Sequence, residues 1–459
     1  MHKLNFQDAS FLRAEVSERP FHVAALLVFS RPKDAPANYM QKLAASLPEG
    51  VLNSSPLFSR KLKDPHDMRN PEWIDETTID LNFHFRHYML PQPGKMEDLL
   101  QLVALAHQPL LDRSRPLWEY HLIDGLPRGK FAVYVKMHHS LVDGVAGIKL
   151  VSKQLQPEPM SIARLRRLAA NAEHGEHPSH KEGGWFHQLE NNVGSVMNQA
   201  RALPEIASQV LHMGRNTDGG LKGLPPLPFT APACILNQEA GARRQLVALN
   251  LPLNKLREIG HSADGTVNDA LLAVFGGALR TYLLSQKKLP RNSLVGAMPI
   301  SVVAPGDNKG NALSMSLCPL GSNIADPQKR LQRIVKVTKN VKKSMHKMSK
   351  TGLQDMFNLI MMPVMVLSAT HLAGKVRPLA NMVVSNVPGP KTAQYLADSK
   401  LESIYPISLL TEAAGMNYTA LSYRNQVCIG ILACPDGVPE LDTFGDHMQQ
   451  AYEDLLASV

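Results

Sequence analysis

The stretch YVKMHHSLVDGVAG (Tyr134–Gly147) closes an apolar run with two adjacent histidines. An aspartate stands four residues after the second, and glycines follow. Upstream, KFAVYVKMHH (Lys130–His139) is a β-rich run; downstream, GIKLVSKQLQ (Gly147–Gln156) returns to helical spacing. Period-2 counting through Phe131, Val133, Val135 and Met137 puts His139 on their face at the strand's end, where a side chain can leave the core and face a cleft. His138 then points to the opposite face, so one metal ion does not easily take both rings. No H-E-x-x-H or Cys/His cluster supplies further ligands, and no metal is expected. No G-x-S-x-G elbow occurs, and Cys318 in SLCPLGSN reads as a packed thiol, since nothing beside it marks an activating base. General base catalysis fits better. A neutral imidazole at His139 is suited to take a proton from an alcohol as its oxygen attacks an activated acyl carbon. Asp143 either joins that chemistry or pins the turn, and Gly144 permits a sharp bend or a close backbone approach. The plainer alternative is a core histidine pair with a helix-capping aspartate.

Outward from the motif, the chain of 459 residues is long enough for two domains and a connecting arm, and its 44% hydrophobic and 19% charged residues suit a globular protein. A formal net charge of +9 favours an anionic partner. Nucleic acid is not expected, because no basic motif interleaved with aromatics is present. Four cysteines without metal-type spacing suggest a reducing compartment. The start MHKLNFQDASFLRAEVSERP lacks the apolar core of a signal peptide, and no run is long enough to cross a bilayer. A cytoplasmic protein with at most peripheral membrane contact is expected.

Strand and helix patterns alternate over residues 1–156, beginning with the buried-strand pattern FHVAALLVFS (Phe21–Ser30). Residues 157–234 form an arm with polar and His-rich stretches, helix-like spacing in its middle and a Pro-rich end. A second alternation runs over 235–459. Within it, Pro327–Lys350 sets Leu331, Ile334, Val335, Val341, Met345 and Met348 on one helical face, with its lysines and arginines mainly elsewhere. This is either a lipid-surface helix or a solvated basic face over a packed one. The methionine-rich run Phe357–Gly374 reads equally as a lipid pocket or a core helix. Thr266 and Asp269 are spaced to cap a helix, and Ser385–Pro390 makes a strand-ending turn.

HHSLVDG matches the HHxxxDG signature of the CoA-dependent acyltransferase superfamily, which includes chloramphenicol acetyltransferase, plant alcohol acyltransferases and peptide condensation domains. LNFQDASFL, DRSRPLWEYHLIDGL, TVNDALLAVFGGALRTYL and VVSNVPGPK occur around it in an order that, over essentially the whole chain, resembles the bacterial wax ester synthase/acyl-CoA:diacylglycerol acyltransferase family. One departure is FHVAAL, where a glycine pair would be expected after the valine.

The resemblance implies a mixed α/β (α+β) fold of two chloramphenicol acetyltransferase-like domains, each a mixed sheet flanked by helices, with a tunnel between them. Acyl-CoA would enter from one side and a long-chain alcohol or diacylglycerol from the other. His139 would be the general base, with no acyl-enzyme intermediate and no cofactor, acyl-CoA being a substrate. His138 and Asp143 would support it, and Asn268 is a candidate oxyanion donor. Gly144, Pro116, Leu117, Trp118, Ser385 and Asn386 would line the substrate path. Peripheral association with the inner membrane face or lipid inclusions is implied too. The rival readings are an amide-forming condensation enzyme and a non-catalytic lipid-surface protein.

Overall fold

The β-branched and aromatic runs read from the sequence fold as strands that are buried on both faces. In the computed structural model, which describes residues 2–4, 6–142, 144–171, 226, 228–302, 312–345, 376–411 and 413–459, His22–Ser30 is buried at every position but the last. Asp143, the arm over 172–225 and the methionine-rich run 357–374 lie outside the described residues.

In chain order the strands are β1 (His2–Lys3), β2 (His22–Ser30), β3 (Arg60–Leu62), β4 (Glu72–Asp75), β5 (Phe85–Met89), β6 (Trp118–Leu126), β7 (Lys130–His138), β8 (Gln245–Pro252), β9 (Val295–Val302), β10 (Ala312–Pro319), β11 (Met382–Pro388), β12 (Tyr395–Leu396), β13 (Ser399–Ile407), β14 (Met416–Tyr423) and β15 (Gln426–Ala433). The helices are α1 (Phe6–Ala14), α2 (Tyr39–Ser54), α3 (Leu81–His84), α4 (Met96–His107), α5 (Gly144–Lys153), α6 (Ile162–Asn171), α7 (Leu253–Ser262), α8 (Val267–Ser285), α9 (Pro327–Met345) and α10 (Phe444–Ala457).

Two six-stranded mixed sheets result, ordered β12-β13-β2-β7-β6-β5 and β10-β9-β11-β14-β15-β8. In the first, only the β5–β6 pair is parallel; in the second, β11 runs parallel to both neighbours. A small antiparallel sheet, β1-β4-β3, packs with α1 around Leu12, Trp73 and Leu117. The first sheet is not built from residues 1–156 alone, because its β12 and β13 come from Tyr395–Ile407. The chain then leaves for β14 in the second sheet. The two sheets meet closely where they cross: a Cβ added to Gly430 of β15 would stand 2.0 Å from the Pro406 carbonyl oxygen of β13. Only glycine allows that approach.

Helix α9 resolves one open reading over its described length. Leu331, Ile334, Val335, Val337, Val341 and Met345 are buried, the first three within the core of the second half. Its apolar stripe is therefore covered by protein. Lys329, Lys336, Lys339, Lys342 and Lys343 face solvent. Arg330 departs from the expected pattern by turning inward, where its guanidinium donates to the carbonyls of Ile324 and Ala325.

The packed-thiol reading of Cys318 agrees with its burial. Cys318, Cys428 and Cys434 are buried free thiols, and burial raises the Cys318 thiol far above its ordinary pKa, so it stays protonated.

Candidate active site

Strand β7 runs between β2 and β6 and ends at the motif, with His138 registered opposite His22. The strand stops one residue earlier than period-2 counting implied. Leu141 N–H turns back to the His138 carbonyl at 3.0 Å, so His139 begins the turn and does not complete the strand face. Helix α5 starts directly after, at Gly144, which is exposed.

The two histidines have different surroundings. His139 is half-buried: its N–H donates to the Phe21 carbonyl at 2.7 Å, and its ring meets Phe11 edge-on at 4.7 Å between centroids. Phe11 in turn stacks on Phe21 at 5.5 Å. His138 is fully buried, and its N–H donates to the Leu117 carbonyl at 3.0 Å. The Ser140 N–H donates to His138 Nδ1 at 3.1 Å, so Nδ1 is unprotonated and the ring proton sits on Nε2. That Nε2 lies 3.3 Å from Oε1 of Glu15, a longer contact that is electrostatic in character.

Glu15 is a buried carboxylate just past α1. Oε1 also accepts from the Phe21 N–H at 2.8 Å, and Oε2 accepts from Arg113 at 3.2 Å. Burial alone would raise its pKa; contact with His138, the Phe21 N–H and Arg113 outweigh that and hold the carboxyl below its ordinary value.

The predicted wall residues lie beneath this turn. Leu117 and Trp118 have no exposed surface. The Trp118 indole donates to the Phe58 carbonyl at 2.8 Å and its ring stacks on His84 at 4.2 Å. Pro116 precedes them, where its carbonyl accepts the Trp118 N–H at 2.9 Å. Their route to His138 is the Leu117 carbonyl.

In the other half, the Asn386 side-chain amide donates to Asn268 Oδ1 at 3.4 Å, bringing two predicted residues together from β11 and the first turn of α8. With its oxygen occupied, the Asn268 NH₂ group is left to point elsewhere. Asp269 caps α8, as its spacing suggests: Oδ2 accepts from both the N–H and the hydroxyl of Thr266 at 2.7 Å, while Oδ1 accepts from Thr338 of α9 at 2.6 Å. Ser385 is half-buried on β11 beside the exposed Asn386. Glu15, Arg113, Phe11 and Ser140 were not singled out from sequence; Phe11, Arg113 and Ser140 had a cue, their places inside LNFQDASFL, DRSRPLWEYHLIDGL and HHSLVDG, and Glu15 had none.

A cavity of about 410 Å³ lies elsewhere, with Phe83, Arg86, Tyr88, Leu105 and Leu110 in its lining. None of the residues lining it is a predicted site residue. Among the described residues, no helix is long and apolar enough to cross a membrane.

The chain is similar to known proteins over its whole length. Residues 4–271 match the family model described as the wax ester synthase/diacylglycerol acyltransferase catalytic domain, and residues 309–456 match the corresponding C-terminal domain. An O-acyltransferase of Acinetobacter baylyi is 30% identical over 100% of this chain and 98% of its own length. A probable diacylglycerol O-acyltransferase of Mycobacterium tuberculosis is 31% identical over 98% of each chain. The solved wax ester synthase/diacylglycerol acyltransferase of Marinobacter aquaeolei superposes with a TM-score of 0.78 at 30% identity, covering 100% of this chain and 99% of that one. The first condensation domain of the CDA synthetase, at 13% identity and a TM-score of 0.56, shares the fold.

Proposed function

The chain belongs to the wax ester synthase/diacylglycerol acyltransferase family and is an O-acyltransferase, and on that premise we propose that it moves a long-chain acyl group from acyl-CoA to a fatty alcohol or diacylglycerol, with His139 as general base. The observation that carries the reading is the contrast at the motif. His138 is locked in the interior, while His139, one residue later, is half-exposed on a turn braced by Phe21 and Phe11.

In the proposed step both substrates are bound together. The His139 imidazole takes the hydroxyl proton as the oxygen attacks the thioester carbonyl carbon. A C–O bond forms, the C–S bond breaks, and the departing thiolate recovers the proton from the imidazolium. No acyl-enzyme intermediate is needed. The Asn268 amide donates to the oxyanion, its own oxygen being held by Asn386. Leu117 and Trp118 shape the site from below through His138, while Pro116, Gly144 and Ser385 border the substrate path. Asp143 orients the turn. A passage between the two halves, open to acyl-CoA at one end and to the acceptor at the other, belongs to the same proposal. So does peripheral contact with a membrane or lipid inclusion, from which such acceptors would be drawn.

The test is thiol release from palmitoyl-CoA with hexadecanol, a diacylglycerol or hexadecylamine, with the lipid products identified. Ester from either hydroxyl acceptor is expected. Amide as the only product would replace this reading with a condensation-type enzyme, and vesicle binding without thiol release would leave only a lipid-surface role.

A further inference from the structure

Glu15 is a buried acid with three partners beside the motif, yet the chemistry proposed above does not use it. Its side chain is 1% exposed. A buried carboxylate is costly unless its lone pairs are satisfied, and a neutral acceptor would serve the Phe21 N–H as well. The charge is therefore matched to something else in reach. Two groups answer to it: Arg113, which also donates to the Leu12 carbonyl at 2.7 Å and so holds the end of α1, and His138 Nε2.

Two routes lead from this carboxylate to His139. Along the first, Oε1 accepts the Phe21 N–H at 2.8 Å, and the Phe21 carbonyl accepts the His139 N–H at 2.7 Å. Phe21 also stacks on Phe11, the ring against which His139 rests. Along the second, the carboxylate faces the protonated Nε2 of His138 at 3.3 Å, while the Ser140 N–H fills Nδ1 from the other side. His138 is thereby fixed in both tautomer and rotation, and His139 is the next residue in the chain. A carboxylate that orients an imidazole through its far nitrogen acts in the same way in metal sites, where losing the outer partner costs about 10- to 100-fold.

We infer that Glu15 is the positioning residue that aims the His139 imidazole, acting through Phe21 and His138 from the end of α1. The inference rests on the reading of His139 as the base. Glu15 does not reach the reacting atoms. Its effect is on turnover, since a misplacement of about 1 Å can cost on the order of 10²-fold while leaving substrate affinity in place.

The experiment compares the full-length protein with Glu15→Gln, Glu15→Asp and His139→Ala, using palmitoyl-CoA and hexadecanol. Glu15→Gln keeps the size and an acceptor for Phe21 but removes the charge. Its kcat is expected to fall about 10- to 100-fold, with KM for palmitoyl-CoA within about threefold of wild type. Glu15→Asp keeps the charge for Arg113 and withdraws it by one methylene, so it covers the case in which the glutamine protein does not fold. It too is expected to lose kcat with KM held. Turnover within twofold of wild type in either folded variant overturns the inference, as does a loss confined to KM. An inactive His139→Ala beside a fully active Glu15→Gln would remove only the role of Glu15. A fully active His139→Ala would remove the base itself.

Discussion

The two six-stranded sheets have the same number of strands but bury different things. Around the first, His22, His84, His107, Glu119, His121, Lys136 and His138 are all buried. Several are held through one ring nitrogen: His22 bonds the His107 carbonyl at 2.6 Å, His107 bonds the Tyr134 hydroxyl at 2.7 Å, and His121 contacts Glu119 at 3.0 Å, while the second ring nitrogens of His22, His84 and His121 have no hydrogen-bond partner among the described residues. Lys136 donates to the Ala106 and Pro109 carbonyls at the end of α4, at 3.1 and 2.6 Å. The core of the second half is mainly Leu, Ile, Val, Ala and Phe, and among the described residues no histidine there is buried. Its buried polar groups, such as Asp269 with Thr338, tie helices together. The first sheet thus gathers the buried histidines, and the second half is a mainly apolar counterpart in which buried charges such as Asp269 and Arg330 tie segments together.

The largest test of that contrast is His139→Ala. Ester formation, followed by thiol release, is expected to fall about 10²- to 10⁴-fold with little change in melting temperature, because the ring lies on a turn and not in the core. A comparable loss of stability would place His139 among the structural histidines. Asn268→Ala asks whether the second half contributes to chemistry as well as rigidity. A kcat lower by about 10²-fold with KM held would say that it does. An unchanged kcat would leave that half purely structural.

The sheets should also separate by pH. Burial, with the nearby positive charges, holds His22 and His107 far below the ordinary histidine pKa, so they stay neutral in the folded protein. Below about pH 6.5 the unfolded chain takes up protons that the folded one refuses. Stability is then lost as pH falls, by roughly 1.4 kcal/mol per group for each pH unit. Urea midpoints between pH 7 and 5 measure this, and the slope should shrink in His107→Gln. The smallest effect is expected from Thr338→Val. Losing its bond to Asp269 should cost about 1 kcal/mol in the same titration, with the pH slope untouched.

How much could be read from sequence follows from the range of each signal. Local ones came through: the run into His138, the cap at Thr266–Asp269 and the apolar face of α9 all depend on residues within a few positions. His139 was placed one step too far along the strand, because period-2 counting does not show where a turn begins. Long-range features were hidden. Nothing near Glu15 signals an arginine 98 residues away, and inward-turned Arg330 looks like any other cation on a basic helix. The pairing of β13 with β2 joins segments with no spacing rule between them.

That last pairing also bears on how the protein is made. Synthesis delivers β2 and β7 early, but the partner for β2's outer edge begins at Ser399, about 260 residues after β7 ends. At about 5–20 residues per second, the nascent chain spends roughly 13–52 s with an unpaired apolar edge. Such an edge can recruit another strand, including one from a neighbouring nascent chain. Fragments ending before this return crossing should therefore be sticky during expression, however complete their motif.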